Sequence, residues 1–248
     1  EWINDSKTII YDTKDPVTLR SDKIWRHTLG GIKDELLFNE IDETAYCSIS
    51  KSKSDKYIFL NHGYTQNVET HVMSADESKG SFDVIKPRTK DFYYSVDHFG
   101  DEFYILTNKD GAKNFKLMKT PVSKVSVDHW IDVIPHDENV LIEHFEIFKN
   151  YLVVQERKNG LNQMLVRNWS DGAEHYIDFG EPTYSAGFGE NPEFDTDVLR
   201  YVFNSFKTPP STIDYNLATK TKEIKKVQPI LNGFSSDNYE TAFVWVEG

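Results

Sequence analysis

The chain has 248 residues, of which 38% are hydrophobic and 14% aromatic, and its formal net charge is −12 at pH 7. This composition excludes an intrinsically disordered chain and is sufficient for a buried core. The acidic balance disfavours nucleic acid and anionic membrane surfaces as main partners, because both are negatively charged themselves. We therefore expect no nucleic-acid partner and no membrane partner.

The single cysteine, Cys47, cannot form an internal disulfide. A reducing compartment is the simpler setting for such a chain, so we expect a cytoplasmic rather than a periplasmic location. No basic residue lies close to Cys47 in sequence, which predicts a buried and inert thiol. The chain shows no signal peptide or spanning segment, and a location signal would be lost if the chain were part of a longer one.

Strongly apolar segments recur along the chain at a spacing of about 48 residues. They comprise residues 8–11, 57–60, 103–106, 151–154 and 199–203. From residue 45 onward, each apolar segment belongs to a group of four predicted strands separated by polar turns. The groups are 45–50, 57–60, 70–74 and 82–85; 93–98, 103–107, 114–119 and 131–135; 141–148, 151–156, 163–168 and 175–179; and 184–188, 199–203, 212–216 and 222–226. A four-stranded unit repeated every ~40 to 50 residues predicts an all-β fold, a β-propeller with about five four-stranded blades.

Turn residues support the same repeat. Lys109-Asp110-Gly111 follows the second strand of one group, and Lys158-Asn159-Gly160 follows the second strand of the next. Asp-Gly and Asn-Gly supply the positive φ angles of tight hairpin turns. The two ends of the chain fall within strand patterns, at residues 1–11 and 244–248, so we expect a piece of a longer protein.

A search for catalytic chemistry finds no nucleophile elbow of the form G-x-S-x-G and no glycine-rich phosphate loop. Pairs such as His62 with His71 have neither helical spacing nor cysteine partners, so we expect no metal site and no cofactor. The acidic residues of 193–197 lack the glycine and terminal glutamate of a calcium loop, which predicts a turn. The only candidates for ligand contact are polar residues on the strands that would line the channel of a propeller. They are Ser48, Ser50, His98, Glu143 and Glu146.

Several segments resemble the prolyl oligopeptidase family of serine peptidases, and its oligopeptidase B (protease II) branch in particular. They run in order along nearly the whole chain, from Asp15-Pro16-Val17-Thr18-Leu19-Arg20 and Trp25-Arg26-His27 through Tyr184-Ser185-Ala186-Gly187 and Asn191-Pro192-Glu193-Phe194-Asp195-Thr196 to Gln228-Pro229-Ile230-Leu231. The resemblance implies a seven-bladed propeller that caps an α/β-hydrolase domain. Residues 1–233 would form part of the propeller, and 234–248 the hinge and first strand leading into the hydrolase domain, with that strand at 239–246.

The resemblance also implies a function. The catalytic Ser, Asp and His would lie in the hydrolase domain, so this chain would contribute no catalytic residue and would be inactive alone. The whole enzyme would hydrolyse short peptides, after Arg or Lys, while the propeller excludes larger substrates. We further expect either self-association through the two end blades, whose apolar faces would lack neighbours, or a rearranged, tighter ring.

Two other functions remain open from the residues alone. A free-standing propeller could act as a protein-binding platform, although the Gly-His and Trp-Asp marks of WD40 repeats and the paired glycines of kelch repeats are missing. A sugar-processing propeller would require a set of convergent carboxylates that the sequence does not display.

Overall fold

The computed structural model describes residues 1–64 and 67–246, and within them nineteen strands form five antiparallel sheets. The first sheet contains β1 (Thr8–Lys14), β2 (Ser21–Thr28) and β3 (Glu35–Asn39). The second contains β4 (Tyr46–Lys51), β5 (Tyr57–Tyr64), β6 (Asn67–Ser74) and β7 (Asp83–Lys86). The third contains β8 (Tyr94–Phe99), β9 (Glu102–Thr107), β10 (Lys116–Pro121) and β11 (Ile131–Ile134). These three sheets belong to one compact unit, residues 1–136.

The second unit begins at Asp137 and holds the last two sheets. One contains β12 (Val140–Ile147), β13 (Tyr151–Lys158), β14 (Leu161–Asn168) and β15 (Glu174–Tyr176). The other contains β16 (Ser185–Phe188), β17 (Val198–Asn204), β18 (Ser211–Asn216) and β19 (Lys222–Val227). Helical structure in the described residues is confined to three single 3-10 turns, at Lys109–Gly111, Val127–His129 and Ser236–Asn238.

In every sheet the spatial order of the strands follows the order of the chain, so each strand pairs with its sequence neighbours. The four predicted groups of strands coincide with the four four-stranded sheets. The first sheet has three strands, because Trp2 forms only a single bridge to Ile9 and no full strand precedes β1, which agrees with the expectation that the chain opens in the tail of a strand.

The apolar run of β5 arises because both faces of this strand are buried between sheets. On β5, Ile58 and Leu60 pack in a cluster with Ile10 and Ile24 of the first sheet, whereas Phe59 points the other way and packs against Phe103 of the third sheet. In the second unit a separate cluster joins its two sheets. The continuous apolar segment 57–60 therefore marks a strand that is covered on both sides.

The last strand of each four-stranded sheet lies at an edge. β7, β11 and β15 have only four, four and three residues. β19 is longer, but all its residues are exposed, and Lys222, Lys225 and Lys226 make up half of them. The edges at this side of the sheets are therefore either short or rich in lysine.

One of the two predicted glycine turns matches the structure and the other differs. Asn159 and Gly160 form the expected two-residue turn, with φ of 51° and 79°, between the paired residues Lys158 and Leu161. Asp110 and Gly111 also have positive φ, but they lie in a longer loop, 108–115, because the nearest ladder pair is Thr107 with Lys116. The described residues contain no segment that pairs with residues 239–246, so the strand expected there stays a prediction, and residues 247–248 of the predicted terminal segment lie outside the described residues.

Candidate functional site

The register of the β5–β6 hairpin brings three potential ligand residues together. His62 on β5 lies opposite Glu69 on β6, and Leu60 lies opposite His71. Residues two apart on a strand face the same side, so His62, Glu69 and His71 project from one face of the second sheet. We call these three residues the His–Glu–His cluster.

The functional atoms of the cluster are mutually close. The Nε2 atoms of His62 and His71 are 3.0 Å apart. Oε1 of Glu69 lies 3.0 Å from Nε2 of His62 and 2.9 Å from Nε2 of His71. The side chains are only 6%, 17% and 12% exposed for His62, Glu69 and His71. Two imidazole nitrogens and a carboxylate oxygen form a donor set that divalent transition metals accept.

Neighbouring groups fix the orientation of the cluster. Nδ1 of His62 lies 2.6 Å from Oε2 of Glu40, which follows β3 in the first sheet. The backbone N–H of Arg88 donates to Oε2 of Glu69 at 2.6 Å, so Oε1 is the oxygen directed at the histidines. The ring of Phe38 covers the cluster, with centroids 4.6 Å from His62 and 5.6 Å from His71.

Electrostatics keep His71 neutral and Glu69 ionised at neutral pH. Burial lowers the pKa of His71, and this outweighs the opposing effect of the Glu69 carboxylate. For Glu69, burial alone would raise the pKa, but the Arg88 amide and the two histidines outweigh it, so the pKa lies below its ordinary value. These are the protonation states in which both residues can bind a cation.

The channel candidates of the first unit lie in different settings. Ser48 and Ser50 are exposed on β4. His98 on β8 is instead a core residue, 3% exposed, whose ring packs against Tyr57 and Phe103 and whose Nδ1 lies 2.8 Å from Oγ of Ser54. Burial lowers the pKa of His98. The structure thus gives His98 a packing role, because its side chain points between sheets rather than to solvent.

In the second unit, Glu143 occupies a bulge in β12, where the register shifts between Ile142 and His144. Its carboxylate accepts hydrogen bonds from Gln155, Arg157 and Asn162 at 2.7–2.9 Å. A bulge re-aims a side chain, and here it aims Glu143 at these three donors. Glu146 is half-buried on the same strand. Glu143 and Glu146 thus belong to the second unit, and Ser48 and His98 to the first.

Cys47 matches its prediction. The thiol is 4% exposed, and its Sγ donates to the carbonyl oxygen of Ser21 at 3.2 Å. Burial, reinforced by the nearby carboxylates of Glu40 and Asp22, raises the pKa of the thiol to about 12. A thiol with this pKa is not a nucleophile at neutral pH.

Comparison with known proteins identifies the fold. The family model described as the N-terminal β-propeller domain of prolyl oligopeptidase matches residues 1–228. The chain belongs to the prolyl oligopeptidase family. This membership and the five antiparallel sheets confirm the predicted class, an all-β propeller fragment.

Relatives in the family match nearly the whole of this chain and are themselves longer. Dipeptidyl aminopeptidase BI of Pseudoxanthomonas mexicana is 38% identical over 98% of the chain and 34% of its own length. Protease 2 of Moraxella lacunata is 30% identical over 100% of the chain and 35% of its own length. The structure of oligopeptidase B from Leishmania major superposes with a TM-score of 0.86 at 26% identity, over 96% of this chain and 35% of that one. The chain therefore spans about a third of the length of the relatives it matches.

Sequence reasoning did not join the three residues of the His–Glu–His cluster. The signal was present as a hairpin pattern, with His62 on one strand and Glu69 and His71 two residues apart on the next. To recognise the cluster from this pattern one must know the register of β5 against β6, which apolar periodicity alone does not give.

In the described residues no helix is long and apolar enough to cross a membrane.

Proposed function

We propose that this chain is the propeller portion of a serine-type oligopeptidase that hydrolyses short peptides after Arg or Lys, and that the propeller limits access by size. The observation that carries the proposal is the family match over residues 1–228, together with relatives named Protease 2 and oligopeptidase B. Because these relatives are about three times as long, the Ser, His and Asp of the reaction are assigned to a hydrolase portion outside residues 1–248.

In this proposal the chemistry is acyl transfer to serine followed by hydrolysis. The propeller contributes walls and charge, not a reacting group. The net charge of −12 supports a preference for basic peptides, because an acidic surface raises the local concentration of cationic substrates. Ser48, Glu143 and Glu146 remain candidates for contact with a passing peptide. Hinge motion between the two portions would admit the substrate.

A second specificity has its own support. The relative with 38% identity is named a dipeptidyl aminopeptidase, an enzyme that removes dipeptides from a free amino terminus. Cleavage after Arg or Lys and release of dipeptides use the same serine chemistry. What separates them is whether the enzyme must bind a free amino terminus of the substrate. Fluorogenic substrates separate them. Blocked Arg-Arg substrates report cleavage after basic residues, and unblocked dipeptide substrates report dipeptide release.

Two assays test the proposal. The purified chain of 248 residues should not hydrolyse either substrate class and should not react with a fluorophosphonate serine probe. Stoichiometric labelling of a serine in this chain would place catalysis within it and overturn the assignment. The parent protein should cleave blocked Arg-Arg peptides and leave folded proteins intact. Cleavage of a folded protein at a rate similar to that of the short peptides would refute the size limit.

We also propose that the isolated chain self-associates, with a second copy as its partner. Val198 and Val202 are exposed on β17, whereas the alternate residues Leu199, Tyr201 and Phe203 are buried. Complete burial of such an apolar side chain contributes roughly 1.5–3 kcal/mol, and Val198 and Val202 are 37% and 47% exposed, so each would gain part of this by burial against a partner. Sedimentation at micromolar concentration should reveal a dimer or larger species, and a monomer at all concentrations would exclude this interaction.

A further inference from the structure

The His–Glu–His cluster contains a hydrogen-bonding conflict. Nε2 of His62, Nε2 of His71 and Oε1 of Glu69 form a triangle whose sides are 3.0, 3.0 and 2.9 Å. Each atom presents either a proton or a lone pair to the centre of the triangle. Because each of the three atoms presents one of only two things, a proton or a lone pair, at least two of the atoms always present the same one. At least one of the three contacts therefore sets proton against proton or lone pair against lone pair, whichever tautomers are chosen.

A cation removes this conflict, because it attracts the lone pairs of all three atoms at once. Glu40 favours the required tautomer of His62, since its Oε2 accepts from Nδ1 and thereby leaves Nε2 free of a proton. A carboxylate that holds the far nitrogen of a histidine in this way is the usual companion of a metal-binding imidazole. We propose that His62, Glu69 and His71 bind one divalent first-row transition metal ion, of which zinc is the natural probe.

The size of the triangle fits such an ion. Ligand atoms at about 2.1 Å from a metal lie about 3.0 Å apart when they occupy one face of an octahedron and about 3.4 Å apart in a tetrahedron. The observed separations of 2.9–3.0 Å correspond to the octahedral face. The cluster would thus supply three facial ligands and leave the remaining positions to water or another ligand. Tetrahedral binding would require the three atoms to separate by about 0.4 Å.

The charge around the cluster also favours a divalent cation. Glu40, Glu69 and Asp42 place three carboxylates near the site, against two guanidinium groups. That of Arg88 has Nη1 3.5 Å from Glu40 and Nη2 3.8 Å from Asp42, and that of Arg20 lies 3.4–3.5 Å from the carbonyl oxygen of Glu40, so the carboxylates still outnumber the cations. Glu40 is itself positioned, because Oε1 accepts the backbone N–H of Asp42 at 2.9 Å. The side chains that would bind the ion are therefore preorganised, which lowers the entropic cost of ordering them when the ion binds.

Binding would link two sheets of the first unit. His62, Glu69 and His71 belong to the second sheet, and Glu40 continues from β3 of the first. The ion would hold the β5–β6 hairpin against the segment after β3. A role of this kind is structural and independent of the peptidase proposal, so failure of one proposal leaves the other standing.

Zinc titration of the tag-free, chelator-treated chain tests the proposal. Calorimetry should give one strong site per chain, and zinc at 100 times its dissociation constant should raise the melting temperature by about 5–10 °C. His71→Gln and Glu69→Gln, which each remove a ligand, should abolish the strong site. Glu40→Gln keeps all three ligands and should weaken binding by about 10–100-fold.

His27→Gln is the matched control. His27 forms an exposed pair with Asp34 in the same unit, with Nδ1 2.6 Å from Oδ1, so it offers a histidine–carboxylate contact outside the cluster. This variant should bind zinc as the wild type does. Equal binding by His71→Gln and wild type would overturn the proposal, as would the absence of a strong site in the folded wild type.

A second measurement needs no variant and so does not depend on variants folding. Anomalous scattering at the zinc edge, from crystals of the wild type grown with one equivalent of zinc, should place the ion between Nε2 of His62, Nε2 of His71 and Oε1 of Glu69. A zinc peak located only elsewhere on the chain would refute the assignment.

Discussion

Arg20 offers a test of how the first and second sheets are joined. Its side chain is 7% exposed and reaches the segment between β3 and β4. Nη1 donates to the carbonyl oxygens of Ala45 at 2.7 Å and Asp42 at 3.0 Å, and both terminal nitrogens approach the carbonyl of Glu40 at 3.4–3.5 Å. Arg20→Met keeps the apolar stem and removes every one of these donors.

The expected loss follows from these contacts. Hydrogen bonds from a charged donor contribute about 1.5–3 kcal/mol each, so the two short bonds to Ala45 and Asp42 amount to about 3–6 kcal/mol. Nε of Arg20 is buried without a protein partner, which costs about 1–3 kcal/mol and is relieved in the variant. The free energy of unfolding should therefore fall by about 3 kcal/mol, a large share of the stability of a typical domain.

Urea denaturation followed by circular dichroism measures this loss, and hydrogen exchange in residues 40–45 locates it. Lys119→Met is the control, because Lys119 pairs with Glu102 at 2.7 Å with both side chains 30% exposed. Such surface pairs contribute about 0–1 kcal/mol. A loss no greater in Arg20→Met than in Lys119→Met would refute the view that Arg20 fixes the connecting segment.

Two further predictions follow from shifted pKa values. Cys47, with a pKa of about 12, should resist iodoacetamide at pH 8 in the folded chain and react fully in guanidinium, as measured by mass; rapid alkylation of the folded chain would contradict its burial. Burial raises the pKa of Glu156, so the folded chain binds its proton more tightly than the unfolded chain, and its contribution to stability decreases as the pH rises above the unfolded value. Glu156→Gln should therefore unfold at higher urea than wild type at pH 7, with a smaller difference at pH 4; a difference independent of pH would argue against the shift.

The strands and their grouping were predictable because their burial leaves a direct mark on the sequence. Ile58, Phe59 and Leu60 are apolar in succession since each face of β5 meets another sheet. The Asn159-Gly160 turn was predictable for a similar reason, as few other residue pairs adopt two positive φ angles. Both signals are local and depend on nothing far away in the chain.

What could not be predicted depends on pairing between segments. Asp110-Gly111 has the same turn signal as Asn159-Gly160, but the strands beside it stop pairing at Thr107 and Lys116, which sequence alone does not reveal. The His–Glu–His cluster requires the register of β5 and β6, and the role of Glu40 requires contact between two sheets. The strand expected at residues 239–246 stays a prediction, because a strand needs a neighbour with which to share hydrogen bonds and the described residues contain none for it.

The short or lysine-rich edge strands affect how readily the chain aggregates at high concentration. An exposed edge presents unpaired N–H and C=O groups to which a strand of another molecule can add. β7, β11 and β15 offer room for few such bonds, and the lysines of β19 would repel one another if two copies of this strand met. Intermolecular strand addition, the route to fibrous aggregates, is thereby opposed at all four of these edges. Replacing Lys225 and Lys226 with valine would remove this protection from β19, the longest of the four.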